Sequence, residues 1–155
     1  MNKILITYFS ASGVTKNVSE KIKNIINADL FEIVPKEKYT NEDLNWNDSQ
    51  SRSTIEMRDK SLRPAIESRL SNLNDYETII IGFPVWWYTA PRIINTFIEE
   101  NDLSNKKIYV FVTSGGSSFG GSLNDLKNTY PNLNFISGKR LNENLSSSEI
   151  LDWIK

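Results

Sequence analysis

The sequence predicts an α/β fold, one open parallel sheet with helices on both faces. Strand-like runs and helix-like segments alternate about five times along the 155 residues. The strand-like runs are apolar on both faces, as strands covered by helices above and below must be. The length suits one compact domain, residues 1–155, with a single core and is short for two.

The first strand is Lys3 to Tyr8 (KILITY), short, β-branched and apolar. From Val14 onward the apolar residues Val14, Val18, Ile22 and Ile25 or Ile26 fall at helical spacing, with Lys and Glu between them. Asp29 to Val34 alternates like a strand, and Pro35 closes it. Residues 36–62 are polar and show no period, so they read as a functional loop or covering segment. Pro64, Ile66 and Leu70 predict a helix ending near Asn74. Glu77 to Phe83 (ETIIIGF) is the clearest buried strand, followed by a helix over Pro91 to Glu100 with proline at its first turn. Lys107 to Thr113 (KIYVFVT) is a strand, Ser122 to Tyr130 a helix, and Leu133 to Ile136 a short strand. Ser146 and Glu149 form a plausible capping box for a last helix through Trp153.

Composition excludes several chemistries. The absence of cysteine removes disulfides, thiolate metal sites and Cys nucleophiles, including the Cys-dependent phosphatases of similar fold. The absence of histidine removes the usual general base and the commonest zinc ligand. Any redox or group-transfer chemistry must then come from a bound cofactor or from carboxylates and hydroxyls. With 18 basic and 19 acidic residues, the net charge of -1 gives no electrostatic case for nucleic acid or an anionic membrane. No signal-peptide pattern or membrane-length apolar run precedes the first strand, so a cytoplasmic location is expected.

In open α/β sheets, ligands bind beyond the carboxyl ends of the strands, where strand order reverses. The loops after Tyr8, Phe83 and Thr113 are therefore the candidate site. The first, Ser10-Ala11-Ser12-Gly13-Val14-Thr15, sets hydroxyls and backbone amides at the mouth of a helix. Such a loop suits a phosphate held by neutral donors, with only Lys16 nearby. The blander alternative makes Ser12 or Thr15 an N-cap and Gly13 a turn residue. The second, Pro84-Val85-Trp86-Trp87-Tyr88-Thr89-Ala90-Pro91, places three consecutive aromatics between prolines, which suits a flat ring or a partner, core packing being the alternative. The third runs from Thr113 through Ser114, Gly115, Gly116, Ser117, Ser118, Phe119, Gly120 and Gly121 to Ser122, and holds four of the seven glycines. It offers backbone donors to a planar polar edge. A phosphate, a ring and a heterocycle edge together describe a flavin mononucleotide (FMN) site.

These stretches resemble the flavodoxin family, in its short-chain form, over nearly the whole chain. More narrowly, Tyr39 to Arg63 followed by Pro64, together with TSGGSSFGGS, resembles a bacterial flavodoxin-like group. The resemblance implies a three-layer sandwich with strand order 2-1-3-4-5 and one non-covalent FMN. It implies phosphate contacts from the amides of Ala11 to Thr15 and the hydroxyls of Ser10, Ser12 and Thr15. Trp86 or Tyr88 would cover the ring, and Thr113 to Gly116 would hold its pyrimidine edge. Two departures stand out. Val14 replaces the asparagine of the usual Thr-Gly-Asn-Thr loop, which removes one side-chain contact. The loops 84–90 and 113–122 contain no acid, and Arg92 follows closely, so full reduction is expected to be easier; Pro84 to Tyr88 also lacks the glycine that eases a peptide flip toward the reduced ring, so the one-electron form is expected to be weakly stabilised.

The expected function is electron transfer with redox proteins or a small quinone-like acceptor as partners. The alternative is an FMN-dependent NAD(P)H:quinone-type oxidoreductase. A receiver domain needs acids after the first and third strands, where this chain has Phe9-Ser10 and Phe83-Pro84.

Overall fold

The computed structural model describes residues 3–154 apart from 12, 46, 87–89 and 114–119. Five parallel strands, β1 (Ile4–Tyr8), β2 (Asp29–Glu32), β3 (Thr78–Pro84), β4 (Lys107–Thr113) and β5 (Asn134–Arg140), form one sheet in the order β2-β1-β3-β4-β5. Between them lie α1 (Val14–Ile26), α2 (Arg52–Arg58), α3 (Arg92–Glu100) and α4 (Gly120–Thr129), and α5 (Ser147–Trp153) ends the chain. This is the predicted architecture and strand order.

Strand alternation divides the core into two clusters. Leu5, Phe9, Ile79, Ile81, Phe83, Ile108 and Val110 pack with Ile93, Ile94 and Phe97 of α3 and Leu126 of α4. On the opposite face Ile6, Ile80, Tyr109 and Phe111 pack with Val18 and Ile22 of α1 and Ile150 of α5. Successive strand side chains point to opposite faces, so one run such as Ile79-Ile80-Ile81 feeds both. Gly82 is required by this packing. A Cβ built there would lie 2.1 Å from the ring of Phe111, its register partner on β4.

The helix termini follow the expected chemistry. α1 ends at Asn27, whose left-handed φ of 55° lets its amide bond the Lys23 carbonyl. α5 starts at Ser146, whose hydroxyl accepts from the Glu149 amide at 3.2 Å. The Glu149 carboxylate pairs with Lys139 at 3.6 Å.

Three expectations are corrected. Residues 64–70 are not helical. Pro35 and Ile66 form an antiparallel bridge, Lys36 N–H donates to the Ala65 carbonyl at 2.8 Å, and Glu67 N–H donates to the Val34 carbonyl at 2.7 Å. The extended segment lies beside the chain just beyond β2 and covers that edge. The helix of this region is α2, inside the stretch read as shapeless. Its buried residues are Ser53, Thr54 and Glu56, while Ile55 is 45% exposed, so its apolar pattern is inverted. β2 is also shorter than expected and β5 longer. A register shift after Ile108 pairs Tyr109 with Ser137 and skips Ile136, which is 43% exposed. Among the described residues, no helix is long and apolar enough to cross a membrane.

The order reverses between β2 and β3, which flank β1, so the loops after β1 and β3 open side by side, with that of β4 next to them.

Candidate functional site

Backbone hydrogen bonds lace the three strand ends together. Phe9 N–H donates to the Gly82 carbonyl at 3.0 Å, and Val85 N–H donates to the Thr113 carbonyl at 3.1 Å. Each of the three loops thus leaves the sheet from a fixed point.

In the first loop the Ser10 hydroxyl accepts from Gly13 N–H at 3.0 Å and from Lys16 N–H at 3.2 Å. It ties the loop to the first turn of α1 and keeps its own O–H free to donate. The capping hydroxyl is therefore Ser10, not Thr15. Gly13 adopts φ 97°, ψ -15°, a left-handed conformation that glycine takes without strain. Open space lies over it, since a Cβ there would meet nothing within 4 Å. Among the described residues, the amides of Val14 and Thr15 have no acceptor, and no acid occupies the first turn of α1. Unpaired amides at the positive end of the helix dipole make an anion site. Ala11 is half-buried against the core, Val14 is exposed, and Ser12 lies outside the described residues.

The first and third loops meet through two buried hydroxyls. Thr15 Oγ1 lies 2.7 Å from Thr113 Oγ1, joining the start of α1 to the end of β4. Only one hydrogen lies between the two oxygens, so the other hydroxyl hydrogen is left to point elsewhere. Ser114, Gly115, Gly116, Ser117 and Phe119 lie outside the described residues, and Gly120 opens α4. In the first turn of α4 the Ser122 hydroxyl is fully buried and lacks a hydrogen-bond partner among the described residues.

In the second loop, Pro84 ends β3 opposite Thr113, and Val85 and Trp86 pack on the core, half-buried. Trp86 meets Phe9 edge-on at 5.7 Å and Tyr39 at 5.3 Å, and Phe9 meets Tyr39 at 5.6 Å. Trp86 is thus both a core residue and a residue of the loop mouth. Trp87 and Tyr88 lie outside the described residues.

The residues missed in the sequence come from 36–62 and from the start of α3. The Tyr39 O–H donates to Glu56 at 2.5 Å, and the Arg52 guanidinium lies 3.8 Å over the Tyr39 ring and 2.9 Å from Glu56. Burial, then the hydrogen bond to Glu56, push the Tyr39 phenol well above its usual range. Arg92 donates to the carbonyls of Glu56 at 3.2 Å and Met57 at 2.9 Å. Burial, then repulsion from Arg63, lower its pKa. Being one of two aromatics, with Trp46, in a polar stretch was the only available signal for Tyr39. Among the described residues, no group of three metal-ligating side chains occurs.

Comparison with known proteins agrees with this fold. A solved protein from Bacteroides eggerthii DSM 20697, provisionally assigned as a flavoprotein, is 46% identical with a TM-score of 0.96, covering 99% of this chain and 96% of that one. A flavoprotein from Lactobacillus acidophilus NCFM, solved in complex with FMN, is 27% identical with a TM-score of 0.78, covering 100% of both chains. A shorter likeness, 31% identical over 42 residues, joins 27% of this chain to 21% of the uncharacterized NAD(P)H oxidoreductase YcaK of Escherichia coli (strain K12), so it spans about a fifth of that relative. A family model described as flavodoxin matches residues 3–155, and the chain belongs to the flavodoxin family.

Proposed function

We propose that the protein binds FMN non-covalently beyond the ends of β1, β3 and β4 and acts in electron transfer. The observation that carries this reading is the start of α1. There a left-handed Gly13 under open space stands beside two amides without acceptors among the described residues and the Ser10 hydroxyl. These groups fit a phosphate monoester, and the family and the FMN-bound relative supply the rest of the ligand.

The amides of Val14 and Thr15 and the hydroxyls of Ser10 and Ser12 would hold the phosphate. Thr15 and Thr113 keep the first and third loops at a fixed spacing and offer one further hydroxyl hydrogen. Trp86, fixed by Phe9 and Tyr39, or Tyr88 would cover the ring. The backbone of Thr113 to Gly116 would hold the polar edge. FMN supplies the one- and two-electron chemistry that the side chains of this chain lack. Redox proteins or a small quinone-like acceptor are the partners.

The test is retention. The purified protein is given FMN, freed of excess, and its visible spectrum and fluorescence are recorded, with riboflavin in parallel. Stoichiometric FMN with changed fluorescence, and much weaker retention of riboflavin, is the expected result. No retained FMN refutes the reading, and equal retention of both ligands refutes the phosphate assignment.

A second reading, an FMN-dependent NAD(P)H:quinone-type oxidoreductase, draws on the short likeness to an NAD(P)H oxidoreductase. Steady-state turnover of NADH or NADPH with a quinone separates it from a carrier, which shows none.

A further inference from the structure

Two groups grip the second loop from either end. Before its tip, Trp86 is held edge-on by Tyr39 and Phe9. Beyond its tip, the Arg92 guanidinium reaches the carbonyls of Glu56 and Met57 at the C-terminal end of α2. The two grips are joined. Tyr39 donates to the Glu56 side chain, and Arg52 pairs with that carboxylate, lies over the Tyr39 ring and donates to the Glu37 carbonyl at 2.6 Å.

Hydrophobic burial does not account for this arrangement. α2 turns Ser53, Thr54 and Glu56 inward and leaves Ile55 outside. Glu56 and Arg92 are only 7% and 8% exposed. A buried ionic network costs desolvation and contributes little net stability, but its directional bonds admit few geometries. Here the fixed geometry is that of Tyr39, and through its ring that of Trp86.

We propose that Tyr39, α2 and Arg92 form a brace that positions the aromatic loop for FMN, with Tyr39 and Arg92 as its positioning residues. The inference rests on the FMN reading above. Coupling of this kind is reciprocal. If the brace favours FMN binding, bound FMN stabilises the brace by the same factor.

Hydrogen exchange on the full chain, with and without FMN, is the first measurement. Amides of α2 are expected to gain several-fold protection alongside the loop at Ser10 to Thr15. Gain at that loop with none in α2 overturns the proposal. The second measurement is FMN affinity in variants. Tyr39→Leu is expected to weaken binding about tenfold, equal to about 1.4 kcal/mol, and to alter the visible circular dichroism of the bound flavin. Tyr39→Phe keeps the ring but loses the bond to Glu56, and is expected to weaken binding about threefold, less than Tyr39→Leu does. Ile150→Val, on the far face of the sheet, controls for general loss of stability. Wild-type affinity in Tyr39→Leu, or an equal loss in Ile150→Val, overturns the proposal. If Tyr39→Leu does not fold, the exchange result on the wild-type chain decides. Failure of the wild type to retain FMN overturns the site reading itself, whereas retention without coupling overturns the brace alone.

Discussion

Replacing Thr15 by valine probes the contact between the first and third loops. It removes one of two hydroxyls 2.7 Å apart and leaves Thr113, itself buried, without that partner. A buried hydroxyl left unpaired costs about 1–3 kcal/mol. For a chain of 155 residues, about 2 kcal/mol lowers Tm by roughly 4–8 °C. Thr113→Val orphans the opposite oxygen and is expected to cost a similar amount. With both replaced, no unpaired hydroxyl remains, so the double variant is expected to regain at least about 1 kcal/mol relative to the sum of the singles. Thermal melting of the FMN-free chain measures the whole cycle. FMN titration adds the functional readout, since all three variants lack the shared donor and are expected to bind more weakly even where stability recovers. Singles within about 0.5 kcal/mol of wild type, or strict additivity, would refute a coupled hydroxyl pair.

Gly82→Ala drives a methyl group to 2.1 Å from the buried Phe111 ring and is expected to cost about 3 kcal/mol, at the upper end of overpacking effects. Chemical denaturation measures it, and Phe111→Leu in the same chain is expected to recover part of the loss; no recovery would place the cost elsewhere. Gly13→Ala is expected to cost about 1 kcal/mol of stability, because the strain comes from φ 97° and not from crowding, and to weaken FMN binding. Melting and FMN titration of that variant check both effects. The Tyr8 and Tyr130 phenols are each pushed up to about 12 from 10.0, Tyr8 by burial and then Glu32, Tyr130 by burial and then its bond to Glu99. Because the folded state holds these protons more tightly, stability is expected to be intact below pH 10.0 and to fall as pH rises toward about 12. Denaturant melts across that window check it, and a flat profile would contradict it. FMN affinity is expected to change less than about threefold across the salt range that shortens the Debye length from about 30 to 8 Å, because amides and hydroxyls, not lysines, hold the phosphate. Titration at both ionic strengths reads this out.

The sheet was legible because its strands are buried on both faces. A run such as Ile79-Ile80-Ile81 is fully buried and feeds both core clusters. The points where the three loops leave the sheet were legible because the strands before them were. What the sequence hid has a common physical cause. In α2 the side chains that face inward are Ser53, Thr54 and Glu56, so hydrophobic periodicity points the wrong way. In residues 62–70 the even-numbered positions face inward and the odd ones outward, a period of two, but the pair Ile66 and Leu70 also fits one helical turn. In β5 a skipped Ile136 breaks the alternation, and the remaining edge residues Ser137 to Arg140 are largely polar. Tyr39 and Arg92 act through partners distant in sequence, which no local pattern can register.

The distribution of buried polar groups ties these observations to function. Lys106, at the opposite end of the sheet, is buried but serves structure alone: its ammonium donates to the carbonyls of Leu73 and Tyr76 at 3.0 and 2.6 Å and closes the short 3₁₀ turn Leu73–Asp75. At the carboxyl end the buried polar groups are different in kind. Thr15 and Thr113 bond each other across two loops, Ser122 lacks a partner among the described residues, and the Glu56 and Arg92 network closes around the aromatic loop. Apolar side chains of similar volume would hold the same backbone at lower desolvation cost. Their concentration where β1, β3 and β4 end is therefore not explained by stability. It is explained if those loops must present fixed donors and a fixed aromatic wall to a ligand that carries both a phosphate and a flat ring.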